Sequence, residues 1–144
     1  MNNTEPKKDA FIFSVYRQDN PENMNLEKHV NAVNYLKKNG FAFKELVERF
    51  TYYTTNKEVS EQAIYVQVNS HYNIQELQDF VVSQCRSANQ ESYLRLSPSR
   101  EVELIPLSGE PYRVGVMTCV NRNEAEDSES SIYCPTTGNY FICK

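Results

Sequence analysis

The feature that most constrains this chain is a change of hydrophobic period, from two to 3.6 and back, which occurs twice between residues 10 and 107. The first apolar run, Ala10-Phe11-Ile12-Phe13-Ser14-Val15-Tyr16, is aromatic and β-branched and reads as a buried strand. Arg17 to Met24, with Asp19, Asn20 and Pro21, reads as a loop. Asn25 is placed to cap a helix in which Leu26, His29, Val30, Val33 and Leu36 recur at helical spacing, and Gly40 stops it. Phe41 to Tyr53 reads as a long second strand, Thr54 to Lys57 as a turn, and Gln62 to Asn69 as a third strand with Ile64, Val66 and Val68 on one side. Asn73 and Glu76 form a capping box for a second helix whose core face is Ile74, Leu77, Val81 and Cys85, with Phe80 beside it. Ser92 to Leu96 and Glu101 to Leu107 are two further strands, joined by Ser97-Pro98-Ser99.

The resulting order, β-α-β-β-α-β plus one strand, predicts an α+β fold of ferredoxin-like, split βαβ type: an antiparallel sheet with both helices on one face. Three segments follow from this: a polar lead at 1–9, a ligand-binding domain at 10–107, and an extension at 108–144. In the extension, Tyr112 to Val120 alternates as a strand, Asn121 to Ser131 is an acidic, Ser-rich loop, and a hairpin turns around Thr136-Thr137-Gly138-Asn139. A sheet covered on one face leaves the other to water, to the extension or to a second copy. Ten tyrosines and seven phenylalanines favour a homo-oligomer.

Composition narrows the function classes. At 144 residues the chain has length for one core. Its net charge is -4 and no Lys/Arg run exceeds Lys7-Lys8 or Lys37-Lys38, which argues against nucleic acid, since phosphates call for a basic stripe. The four cysteines, at 85, 119, 134 and 143, show no Cys-x-x-Cys spacing, and His29 and His71 lie apart, so no metal site is expected. No apolar stretch approaches transmembrane length, and Met1 to Asp9 has no signal-peptide h-region. A cytoplasmic protein with reduced thiols and no membrane association is the expectation.

The candidate site lies at strand junctions. Asn89-Gln90-Glu91-Ser92 sits where the second helix hands over to a strand, and Ser60-Glu61-Gln62 sits where the third strand is expected to open. Two acids and two carboxamides at strand ends of a small sheet would make a pocket for a polar or cationic small molecule. Each has a bland counterpart: Glu61 as a solvated edge charge, Gln90-Glu91-Ser92 as helix termination, and His29 as a packed histidine. Arg17 and Arg49 serve as surface arginines unless a nucleotide meets them.

Taken in order, several short motifs resemble the phage-encoded S-adenosylmethionine lyases. They are the first strand followed by Ser14 and Arg17, the helix Asn25-Leu26-Glu27-Lys28-His29-Val30, the Gly40-Phe41 exit, Glu61, and Gln90-Glu91-Ser92 before the fourth strand. The resemblance covers residues 10 to 107. It implies cleavage of S-adenosylmethionine to methylthioadenosine and homoserine lactone, with the ligand held between subunits of a PII-like trimer. It implies a catalytic role for Glu61 and substrate binding by Ser14, Arg17, Tyr52, Tyr53, Gln90, Glu91 and Ser92. No cofactor is implied; the adenosine-containing molecule is the substrate. The chain departs from the family in having no glycine in Val47-Glu48-Arg49-Phe50-Thr51-Tyr52-Tyr53, where a Gly-x-Tyr element is usual, and in Gln62-Ala63 after Glu61 in place of Ser-Phe.

Two other functions fit the same residues. One is a non-catalytic sponge for an adenine-containing immune signal such as a cyclic ADP-ribose derivative. The other is an acidic inhibitor that docks on a host defence enzyme through the acidic loop 121–131.

Overall fold

A computed structural model describes residues 8–51, 56–71 and 73–144. Eight strands and three helices alternate as β1 (Ala10–Phe13), α1 (Glu22–Lys38), β2 (Phe43–Thr51), β3 (Glu58–Gln67), α2 (Ile74–Ser87), β4 (Ser92–Leu96), β5 (Glu101–Pro106), β6 (Tyr112–Val120), α3 (Arg122–Asp127), β7 (Ser131–Cys134) and β8 (Asn139–Cys143). The strands pair in the order β1-β3-β2-β7-β8-β6-β5-β4 and β4 returns to β1, so the sheet closes into a barrel whose pairings are all antiparallel.

This closure overturns the expected ferredoxin-like open sheet. The segment 108–144, read as an extension to the domain, instead supplies β6, β7 and β8 to the sheet, with β7 pairing β2 at Val47–Tyr133 and Arg49–Ser131. Closure removes the sheet edges and turns the face expected to lie bare into a barrel interior. The aromatic residues therefore need no second copy to cover that face.

Two apolar clusters follow from strand alternation. Phe11, Phe13 and Val15 point outward, where Ala32, Val33 and Leu36 of α1 and Leu77, Val81 and Cys85 of α2 cover them. Ala10 and Ile12 point inward with Leu46, Ala63, Leu96, Val102, Ile132 and Cys134. On the β2–β3 ladder the inward pairs are Lys44–Tyr65, Leu46–Ala63, Glu48–Glu61 and Phe50–Val59.

Several local expectations shift. α1 begins at Glu22, three residues before the expected cap, and Asn25 is buried inside it. The helix is thereby rotated so that Leu26 and Val30 are 52% and 44% exposed, while His29, Val33 and Leu36 face inward. β3 starts at Glu58, which puts Glu61 within the strand. The acidic loop contains α3, capped by the Asn121 side chain accepting from the Glu124 N–H at 2.8 Å. In α2 the Asn73 side chain accepts from the Glu76 N–H at 2.8 Å, as the capping box predicts.

Gly115 marks a tight point of the closure. Its φ is +150°, and a Cβ there would lie 2.6 Å from the Lys144 carbonyl oxygen. Next to it, the Val116 N–H donates to the Lys144 carbonyl at 2.8 Å and the Lys144 N–H to the Val116 carbonyl at 3.0 Å.

Candidate functional site

One end of the barrel interior opens into a cavity of about 630 Å³, within the range of small-molecule sites. Six of the sequence-predicted residues line it: Ser14, Arg17, Glu61, Gln90, Glu91 and Ser92. Tyr52 and Tyr53, which the resemblance also implicates, lie outside the described residues.

These residues come from three places that the topology brings together. β1 pairs both β3 and β4, so the segments leaving β1 and entering β4 share one rim with Glu61 of β3. Two interlocking motifs fix that rim. α2 ends with Asn89 in the left-handed region at φ +60°, the Asn89 N–H bonded to the Arg86 carbonyl and the Gln90 N–H to the Cys85 carbonyl. This is a Schellman ending, and it turns Gln90 and Glu91 toward the barrel mouth. The Asn89 carbonyl then accepts from Arg17 Nη1 at 2.8 Å, and Gln90 Nε2 donates to the Tyr16 carbonyl. Asn25, buried in α1, holds the same loop from below: its Oδ1 accepts from the Arg17 N–H at 3.2 Å and its Nδ2 donates to the Arg17 carbonyl at 2.9 Å.

The Ser14 hydroxyl donates to the Gln62 carbonyl at 2.6 Å and accepts from the Tyr16 N–H at 3.0 Å. It is a structural tie between β1 and β3, with its oxygen at the cavity wall. Arg17 divides its guanidinium between the Asn89 carbonyl and Asp19, the latter at 2.9 Å. Glu91 is exposed at the rim.

The residue that sequence reasoning missed is Glu48. It stands directly opposite Glu61 on the β2–β3 ladder and lines the same cavity. Side chains so paired have Cβ atoms about 5 Å apart, so two carboxylates share one small volume. Burial raises the Glu48 carboxyl to about 7, with the Glu61 charge adding to the effect. One proton on this pair is therefore in play at neutral pH. Alternation through Leu46, Glu48 and Phe50 places the acid on the inner face, but only the barrel makes that face an interior.

Arg49, one step along β2, also borders the cavity, but its guanidinium is engaged with the α3 end. Its Nη2 donates to the Ala125 and Ser128 carbonyls, both at 2.7 Å, and its Nε to Ser131 Oγ at 3.2 Å. It pins the end of α3 to the barrel wall. His29 Nε2 lies 2.7 Å from Glu45 Oε1, on the outer face of β2 and away from the cavity. The Cys143 thiol at the cavity wall is raised by burial and is held as a neutral thiol. Among the described residues no group of three or more His, Cys, Asp or Glu could hold a metal ion. No helix among them is long and apolar enough to cross a membrane.

Fold and site together define a closed antiparallel barrel with a polar-rimmed cavity at one end that holds a pair of facing carboxyl groups. The model of the S-Adenosylmethionine lyase family matches residues 11–144, and the chain belongs to that family. The match takes in β6 to β8, which the resemblance had left outside. A solved structure described as a phage SAM lyase in its apo state is similar over 79% of this chain and 94% of that one, at 13% identity and a TM-score of 0.42. No curated protein matches the chain.

Proposed function

We propose that the chain cleaves S-adenosylmethionine to methylthioadenosine and homoserine lactone in the acidic cavity. The observation that carries the reading is the Glu48–Glu61 pair inside a cavity of about 630 Å³, in a chain of this family.

The chemistry asks for position more than for reactive groups. The substrate's own carboxylate attacks its γ-carbon, the C–S bond breaks, and the electron pair leaves on sulfur as the neutral thioether. The sulfonium charge and the carboxylate charge vanish together, and no proton is transferred. Holding the chain folded for that attack supplies an intramolecular advantage that reaches ~10⁵ M or more in well-oriented cases.

The carboxylate pair has a defined use in such a step. A carboxylate in contact with the sulfonium would stabilise the ground state more than the transition state, because that positive charge is disappearing. The α-ammonium keeps its charge throughout, so it is the group that Glu61 and Glu48 can hold without slowing the reaction. Glu61 anchors it directly, and the proton on Glu48 leaves when the cation enters. Gln90, Ser92 and Ser14 supply polar atoms around the cavity wall for the rest of the ligand. Low polarity at the sulfonium favours the charge-neutralising step, and Leu94, Leu104 and Phe141 provide apolar lining.

The test is incubation of the purified protein with S-adenosylmethionine, with products followed by liquid chromatography and mass detection. Methylthioadenosine and homoserine lactone appearing together, and lost in Glu61→Gln with the fold intact, is the expected result. Substrate recovered intact overturns the reading and directs attention to sequestration of an adenine-containing signal.

A further inference from the structure

The opposite end of the barrel interior holds a second cavity, of about 410 Å³. An apolar layer that includes Ile12, Ile132 and Phe141 borders both cavities and separates them. The second cavity is lined by Lys44, Arg100 and Tyr65, and no Asp or Glu contributes to it among the described residues.

Arg100 is the unusual group. Its Nη1 is buried and has no hydrogen-bond partner. A buried donor is rarely left so, and a guanidinium that lacks an acceptor in a cavity marks the place of a water or an anion. Its carbon lies 5.7 Å from the centroid of the Tyr65 ring, a cation–π contact that orients the guanidinium without giving Nη1 an acceptor. The backbone holds the side chain in place: the Arg100 N–H donates to the Ser97 carbonyl at 2.9 Å, and the Arg100 carbonyl accepts from the Met117 N–H at 2.9 Å. Arg100 also sits at φ +68°, a conformation that favours glycine or asparagine, and the other described non-glycine residues with positive φ are Asn56 and Asn89. The chain keeps a long cation where the backbone would prefer a small residue.

The neighbours are complementary. Lys44 forms no ion pair among the described residues. The Tyr65 hydroxyl accepts from Gln67 Nε2 at 3.0 Å, which leaves its own O–H to donate. Cys134 lies at the same wall, near Lys44. Burial raises its thiol, but hydrogen bonds from Thr137 and Thr136 and the Lys44 charge outweigh that and lower it.

We propose that this cavity is an anion site, in which the Arg100 guanidinium, the Lys44 ammonium and the Tyr65 hydroxyl take up a phosphate-type oxyanion. The site is independent of the acidic cavity and of the lyase reading. The same chemistry is offered by inorganic phosphate and by the phosphate of a nucleotide.

Calorimetric titration of the full chain with inorganic phosphate, and separately with adenosine monophosphate, at constant ionic strength in potassium chloride tests it. The expected result is saturable one-to-one binding that weakens about tenfold or more in Arg100→Gln and in Lys44→Gln, the scale of a lost charged hydrogen bond. Lys44 is exposed on β2, so its variant keeps the test open if Arg100→Gln fails to fold. Binding of phosphate itself assigns the site to the free ion; binding of the nucleotide alone assigns it to a phosphate carried on a larger ligand. Titrations that show no saturable binding of either probe, or binding equal in wild type and both variants, overturn the proposal.

Discussion

The two ends of the barrel interior are built from the same β2–β3 ladder and carry opposite charge. At one end Glu48 faces Glu61; at the other Lys44 faces Tyr65 with Arg100 above its ring. Between them lies the single apolar pair Leu46–Ala63. Lys44 and Glu48 are four residues apart on one strand face, about 13 Å at the usual rise, which exceeds salt-bridge reach. The apolar layer therefore does more than fill the core. It holds the two charged ends apart, beyond the reach of a direct ion pair between them.

Several changes would break or sharpen this contrast. Ile12, 2% exposed, borders both cavities. Ile12→Ala is expected to lower stability by about 2–5 kcal/mol, read by urea unfolding, as the wall between the ends becomes a void. Glu61→Gln removes charge from the acidic end alone; kcat/KM for S-adenosylmethionine is expected to fall about 100-fold, chiefly through a higher KM because the α-ammonium contact is the same in ground and transition state. A kcat/KM within threefold of wild type would remove Glu61 from substrate binding. Gly115→Ala forces a Cβ toward the Lys144 carbonyl at a positive φ, and a loss of about 1–3 kcal/mol in thermal or urea unfolding is expected.

The smallest effect is the pH dependence of the acidic end. With Glu48 raised to about 7, the ligand-free pair sheds a proton as pH climbs from 6 to 8, and affinity for a cationic ligand should rise a few-fold over that interval. Stability runs the other way. The folded Glu48 binds its proton more tightly than the unfolded chain, whose carboxyl titrates near 4.5, so stability of the ligand-free protein declines as pH rises from about 4.5 to about 7 and then levels. Glu48→Gln should flatten both profiles. Thermal melts and ligand titrations across pH 5 to 8 measure them, and unchanged profiles in the variant would assign the proton elsewhere.

Legibility in the sequence varied with how local the cause was. β4 and β6 have the bounds expected from alternation, Ser92–Leu96 and Tyr112–Val120, and α2 has its expected cap and core face. α1 was misjudged because Asn25 is buried for a polar reason, its two bonds to the Arg17 backbone, which hydrophobic periodicity does not register. Of the proposed ligand residues, Ser14, Arg17, Glu61, Gln90, Glu91 and Ser92 were found by motif order and do meet at one cavity. Glu48 was passed over because a charged residue alternating with Leu46 and Phe50 looks the same whether that face meets water or an interior.

The sequence by itself determined α2, β4 and β6, the turn chemistry that sets the Asn89–Gln90 junction, and the family. Those depend on neighbours within a few residues or on short motifs in order. Only the tertiary structure decided that the extension closes the sheet, that Glu48 and Glu61 share a cavity, and that Arg100 Nη1 is left without an acceptor in another. Each of these depends on pairings between strands far apart in the chain, β7 with β2 and β6 with β5 and β8. Strand alternation says which side a residue faces; closure of the sheet says what that side contains.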